Sequence, residues 1–272
     1  MTFRGSIILL ATAILTPALV WAAPTADELA DEFDKVLAPV VAEGRVDYAA
    51  LKADPKPLDT WLRRIESISK VAVLGWRTDD SKAFYINAYN GHVLRIVRDR
   101  YPIAKTSDEF PLGSIQQIPG VWELPLTVAQ EDVSLNKIEK TILIAKYGDH
   151  RVHFAINCAS VGCPPLRDRA YRGKKLGRQL NLAAQDFIRS PLGARTDREN
   201  TVLHLSQIFD WYWADFEKLA GTPPYLIEVF AERGPMLGFV ASYLPKEEGG
   251  FVRDADFWVK YMSYDWTLNE RP

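Results

Sequence analysis

A chain of 272 residues with 47% hydrophobic and 25% charged residues has the composition of an ordinary globular protein, which excludes a disordered, collagen-like or multi-pass membrane chain. The 33 Lys and Arg against 35 Asp and Glu leave no basic footprint for nucleic acid. Two cysteines are too few for a disulfide scaffold or a four-cysteine zinc module.

Arg4 followed by the apolar run Ile7–Val20 has the form of a secretory signal, too short for a membrane span. Val20-Trp21-Ala22 places small residues at both recognition positions, so the cut is expected after Ala22. A cut after Ala23 would put bulky Trp21 at the outer position. No cysteine follows the run, which excludes a lipoprotein anchor. Residues 23–272 are then expected as one exported globular domain, periplasmic or secreted, with no membrane span after cleavage.

In the mature chain, Thr25 to Val41 is a predicted helix with Leu29, Phe33, Val36, Leu37 and Val40 on one stripe. Lys52 to Pro57 is a predicted loop, and Leu58, Leu62, Ile65 and Ile68 mark a second helix. Ser81 to Tyr101 is the strongest helical pattern, with Ile86, Tyr89, Val93, Ile96 and Val97 as its core stripe and Pro102 as its stop. Residues 106–133 are loop-rich with strand-like pieces near Val121–Val128. Ser134 is a predicted N-cap for a helix bearing Leu135, Ile138 and Ile142. Arg151 to Asn157 has strand length. A loop from Cys158 to Arg167 leads to a helix around Lys174–Ile188, and a short strand is predicted at Thr201–Leu205. Ser206 then caps a helix bearing Phe209, Trp213, Phe216 and Leu219. Two short helices and an aromatic, extended Phe257–Leu268 follow. The predicted fold class is α+β, a mostly helical single domain with a small β-sheet.

The densest chemistry lies in His150-Arg-Val-His153-Phe-Ala-Ile-Asn157-Cys158-Ala-Ser160-Val-Gly-Cys163-Pro-Pro. A thiol at the junction between a strand and a loop combines rigidity with access, as a nucleophile needs. Three other readings stay open: a Cys158–Cys163 disulfide in an oxidising compartment, a zinc site of the form H-x2-H-x4-C-x4-C, and inert buried thiols. Along a strand His153 and Asn157 share one face and Cys158 takes the other, so His153 serves Cys158 only if the chain turns at Asn157. Otherwise the base comes from His92, His150, His204 or a carboxylate.

Asn87 and Asn90 share a helix face, and an Asn-Gly pair inside a helix costs about 1 kcal/mol against alanine. Either these residues belong to a site or they satisfy backbone groups in a crowded core. Glu139 flanks an apolar stripe, where it either points inward to orient a histidine or sits at a solvated edge. Tyr264 to Asn269 is expected to dock the terminus onto the core. Packing is expected to account for Trp211 and Trp213 better than a sugar platform does.

The segments YINAYN, SLNKIEK, VHFAINCASVGCPPLR, LSQIFDWYWADF and YDWTLNE, in this order from about Phe84 to Asn269, resemble the blocks of the domain of unknown function 547 family, which includes bacterial exported proteins and plant proteins. The resemblance favours Asn87, Tyr89, Asn90, Glu139, His153, Cys158 and Ser160 as site residues. Cys163 matches the bacterial form. His92 stands where the family has a small or apolar residue, so it is set aside as a base, and Lys140 replaces a histidine that commonly follows the glutamate. A kinship with papain-like or transglutaminase-like thiol enzymes is an analogy only.

The resulting expectation is a thiol-dependent hydrolase or acyltransferase of the cell envelope that uses no cofactor or metal and acts on a peptide or acyl-type envelope component. Cys158 is the expected nucleophile, His153 its base, and Glu139 or Asn87 the orienting group. Asn90 or the amides after Cys158 are expected to hold an oxyanion, with Tyr89, Asn157, Ser160 and Cys163 contributing to binding. The alternative is a non-catalytic binding or assembly module with a Cys158–Cys163 disulfide.

Overall fold

The structure, a computed structural model, describes residues 23–217, 234–254 and 256–272, so the expected signal segment and Leu219 lie outside it. Helix α1 (Ala26–Val40) starts in a capping box: the Thr25 side chain accepts from the Glu28 amide while the Glu28 carboxylate accepts from the Thr25 amide. The hairpin β1 (Val41–Ala42) and β2 (Arg45–Val46) follows. Helix α2 (Tyr48–Ala53), capped by Asp47, takes up the start of the predicted loop, and α3 (Lys56–Ser67) takes up its end. The composition there is polar, but the Asp47 cap and the burial of Tyr48 and Leu51 outweigh it. Helix α4 (Lys70–Leu74) is short.

Helix α5 (Thr78–Arg100) is the axis of the molecule. A one-sided stripe was expected, but every residue from Ser81 to Leu94 is buried. A helix enclosed on all sides must pair whatever polar groups it carries. Lys82 reaches Asp149 at 3.1 Å, and Arg151 meets the same carboxylate at 2.8 Å. Burial works against the Asp149 charge, yet Arg151 and Lys82 outweigh it and hold the carboxyl down at about 2. His92 is the exception: burial pushes its imidazole down to about 3, so it stays neutral inside the core.

Beyond α5 the hairpin β3 (Leu126–Val128) and β4 (Glu131–Val133) leads to Ser134, whose hydroxyl accepts from the Lys137 amide at 3.1 Å. The helix it caps widens into a π-helix over Lys137–Lys146, which carries Glu139 into the interior. The predicted strand at Arg151–Asn157 is not formed. His150–Phe154 is a 3-10 helix started by Asp149, whose side chain accepts from the Arg151 amide. A short apolar run fits either state, and the Asp149 cap decides for the turn. Its side chains serve both apolar clusters of the molecule: Val152, Ala155 and Ile156 join the one around α5, while Phe154 joins the one built on Phe187, Phe209, Phe216 and Phe239. The residues just before Cys158 therefore lie in the seam between two cores.

Helix α6 (Leu176–Ile188) leads to a three-stranded sheet of β5 (Ala194–Asp197), β6 (Val202–Leu205) and β7 (Trp258–Tyr261) in that order. The first pair is antiparallel and the second parallel. Between β6 and β7 come α7 (Gln207–Trp211), capped by Ser206, α8 (Trp213–Glu217), α9 (Pro235–Tyr243) and α10 (Lys246–Asp254). The single helix expected through Phe209 and Phe216 is thus broken at Tyr212. The break turns Trp211 and Trp213 outward, 46% and 43% exposed, so core packing does not account for them. The fold is α+β with helices dominating.

Gly91 shows why α5 tolerates a poor helix former. A Cβ at this position would stand 2.3 Å from the Trp61 ring, so α3 approaches α5 across a site with no side chain. Helix propensity alone makes Gly91→Ala stabilising by about 1 kcal/mol. Overpacking against Trp61 is expected to reverse that sign and lower stability by about 1–3 kcal/mol, read as a drop in melting temperature.

Candidate active site around Cys158

The loop bearing Cys158 has no strand ladder behind it, so side chains supply its hydrogen bonds. Asn90 on α5 donates from Nδ2 to the Ala155 carbonyl (3.0 Å) and accepts from the Asn157 amide at Oδ1 (2.9 Å). Asn157 in turn donates to the Pro164 carbonyl (2.8 Å) and accepts from the Ala159 amide (2.9 Å). Its Oδ1 also accepts from Asn269 Nδ2 (3.1 Å), and Tyr48 donates to Asn269 Oδ1 (2.8 Å).

The C-terminal segment closes the loop from the other side. Val161 and Gly162 donate to the Thr267 and Asp265 carbonyls at 2.8 and 2.9 Å, and Asn269 donates to the Ala159 carbonyl at 3.0 Å. Gly162 is required for this approach, since a Cβ there would lie 2.9 Å from the Asp265 nitrogen. Between these two clamps Ala159 is held at φ 60°, a left-handed conformation that an alanine adopts only when its surroundings impose it.

Nδ2 and Oδ1 of Asn90 each hold a backbone group of the loop, and the Ala159 amide donates to Asn157. Asn157 holds the loop rather than lining the cavity. Asn87 lies farther off: its amide accepts from the Tyr171 N–H and donates to the Tyr171 carbonyl, both at 2.8 Å, which makes it a backbone clamp and not an orienting group.

The Cys158 sulfur has three side-chain partners: Cys163 Sγ at 2.8 Å, Ser160 Oγ at 3.0 Å and Tyr264 OH at 3.1 Å. The Ser160 and Tyr264 oxygens lie 3.0 Å apart, and the Cys158 amide donates to Cys163 Sγ at 2.9 Å. Both cysteines are free thiols, Cys158 half-buried on the cavity wall and Cys163 buried. Burial opposes the Cys158 thiolate, but bonds from Cys163, Ser160 and Tyr264, with the Ser160 amide, outweigh it and hold this thiol below the usual range. Burial and the neighbouring Cys158 push the Cys163 thiol well up. Burial, then the Cys158 charge, raises the Tyr264 hydroxyl and keeps it a donor.

The sulfur faces a cavity of about 830 Å³ whose walls include Tyr89, Glu139, His153, Tyr212, Asp215 and Trp211. His153 does not bond Cys158. Its Nε2 lies 3.1 Å from Asp215 Oδ2, its Nδ1 lies 3.9 Å from Glu139 Oε1, and its ring stacks on Tyr212 with centroids 3.9 Å apart. Burial, then the Glu139 carboxylate, pushes the Tyr212 hydroxyl far up. Glu139 Oε1 and His153 Nδ1 are buried without a hydrogen-bond partner. Trp211, Tyr264 and Trp266 pack together at the rim, centroids 4.6 to 5.7 Å apart. Among the described residues no three His, Cys, Asp or Glu side chains gather as a metal ion needs. His150 also lines the cavity, edge-on to Phe239 at 4.6 Å, whereas the fully buried His92 does not line it.

The sequence pattern assigns no site role to Tyr264, Asp215 or Tyr212. The blocks YDWTLNE and DWYWADF contain them, but aromatic density there reads equally well as packing. Only the fold brings residues this distant in sequence to one sulfur and one imidazole.

The donor set makes a testable statement about acidity. In reduced protein at about pH 6–7 a small alkylating agent is expected to label Cys158 ahead of Cys163. Tyr264→Phe removes a donor to the thiolate, so the Cys158 pKa rises and its labelling at that pH falls about three- to tenfold. Equal rates at the two cysteines, or no change in the variant, would contradict the assignment.

No curated protein and no solved structure matches the chain. Residues 73–188 match the model of the family described as "Protein of unknown function, DUF547". The matched span contains α5, the π-helix, the Cys158 loop and α6, while the blocks around Trp211 and Tyr264 lie beyond it. Over residues 73–188 the chain carries the domain of that family.

Proposed function

We propose that the protein is an exported thiol-dependent hydrolase or acyltransferase of the cell envelope, with Cys158 as its nucleophile and a peptide or acyl-type envelope component as substrate. One observation carries this reading: a thiol ringed by hydrogen-bond donors faces a cavity that also holds a histidine–carboxylate pair. The signal-like N-terminus from Arg4 to Ala22 supports the location.

In the proposed sequence the Cys158 thiolate adds to a substrate carbonyl, and the carbonyl π-electrons move to oxygen. Collapse of that adduct expels an alcohol, thiol or amine and leaves an acyl-cysteine. Water or an acceptor nucleophile then releases the acyl group and regenerates the thiol. The thiolate is prepared by the Ser160 amide, the Ser160 and Tyr264 hydroxyls and Cys163 rather than by a hydrogen-bonded histidine. His153, oriented by Asp215, is assigned the proton transfers at the leaving group and the attacking water. The partly exposed Trp211 and the neighbouring Trp266 give the substrate an aromatic surface at the rim.

The test is incubation of the native protein with an activated aryl ester and a thioester, followed by mass mapping. The expected result is a burst of released alcohol or thiol and an acyl adduct on Cys158. Cys158→Ser should abolish both, and Asp215→Asn should slow turnover by about 10²-fold or more, in the range of general acid–base contributions. Folded protein that forms no adduct on Cys158 would favour a binding module and overturn the proposal.

A further inference from the structure

Acyl transfer needs one sulfur, and in it Cys163 does no more than hydrogen-bond to Cys158. Yet Cys163 is built into the site with care. Its sulfur lies 2.8 Å from Cys158 Sγ and accepts from the Cys158 amide at 2.9 Å. The two residues that follow it are both prolines, and the Pro164 carbonyl is tied to Asn157 at 2.8 Å. Pro165 is backed so tightly by Gly44 that a Cβ there would lie 2.5 Å from the proline ring. Both cysteines line the cavity, but Cys163 is buried and fixed from behind, while Cys158 is the more exposed of the two.

We propose that Cys158 and Cys163 form a reversible dithiol–disulfide couple that exchanges with disulfide-bonded substrates entering the cavity. The arrangement supplies what exchange requires: an accessible attacking sulfur, a buried resolving sulfur in contact with it, and donors that hold the attacking sulfur as thiolate. Closing the present gap to a covalent length of about 2.05 Å asks for less than about 1 Å of motion. The acidities agree with the geometry, Cys158 being lowered and Cys163 raised.

In the first step the Cys158 thiolate attacks one sulfur of a substrate disulfide, forms a mixed disulfide and releases the other sulfur as thiolate. The charge that helped to raise Cys163 is then gone. Cys163 loses its proton to solvent and attacks Cys158 Sγ, which expels the second substrate thiolate. The net change converts one substrate disulfide and the protein dithiol into two substrate thiols and a Cys158–Cys163 disulfide. An external dithiol or thiol pool reverses it. In the oxidised state Cys158 cannot carry an acyl group, so exchange would also silence the proposed acyl chemistry.

The couple stands whether or not Cys158 carries acyl groups, and its test reads mass rather than turnover. Reduced full-length protein is equilibrated in buffers of oxidised and reduced glutathione, quenched with acid and analysed intact. The wild type is expected to pass reversibly from two free thiols to none, with loss of two hydrogens and no retained glutathione. Cys163→Ser, or Cys163→Ala if the first variant does not fold, should retain one glutathione on Cys158. Three results would overturn the proposal: no oxidation in any buffer, wild-type protein that keeps glutathione on Cys158 without closing, or a disulfide that reductant opens only after unfolding.

Discussion

The carboxamide of Asn90, buried in the middle of α5, takes both the Ala155 carbonyl and the Asn157 amide, and the position of Cys158 depends on that pair of hydrogen bonds. The segment from His150 to Cys163 runs through the seam between two apolar clusters without a strand partner on that side. Buried backbone groups left without partners cost about 1–3 kcal/mol each, so an irregular segment survives there only if side chains replace the ladder. Asn90, Asn157 and Asn269 form that replacement, with Tyr48 at its far end. The Asn-Gly pair that weakens α5 as a helix is thereby explained twice over. Asn90 faces the loop that it holds, and Gly91 lets Trp61 close against the helix.

This clamp sets the electrostatics of the thiol. With the loop fixed, the Ser160 hydroxyl, its amide and the Tyr264 hydroxyl converge on one sulfur, each stabilising negative charge. Tyr264 arrives on the C-terminal segment, which pairs with the loop through Ser160 and Leu268. The imidazole of His153 is built into a separate unit with Asp215 and Glu139 on another wall of the same cavity. The sulfur with its donors and the imidazole with its carboxylates are thus separate units of the fold. That division differs from a thiol–imidazole pair, in which one hydrogen bond serves both.

Much of this was legible from local chemistry. The Ser206 cap, the length of α5 and the turn to a loop at Cys158 follow from residues a few positions apart. Pro164, directly after Cys163, has no amide to donate, and that alone sets the two cysteines apart. What stayed hidden depended on distance in sequence or on competition between local states. The 3-10 helix at His150–Phe154 rests on Asp149, a residue just outside the apolar run. The full enclosure of α5 could not be read from its own pattern, because its polar residues find partners in Ala155, Asn157 and Tyr171. Tyr264 and Asp215 lie too far along the chain from Cys158 and His153 for spacing to connect them.

The most direct measurement removes the clamp while leaving the sulfur and its donors in the chain. Asn90→Ala deprives the Ala155 carbonyl and the Asn157 amide of their partner. The account predicts a loss of about 1–3 kcal/mol for each buried group orphaned, together with loss of the faster alkylation of Cys158 over Cys163 in the protein that remains folded. An Asn90→Ala protein with an unchanged melting temperature and an unchanged Cys158 rate would contradict it.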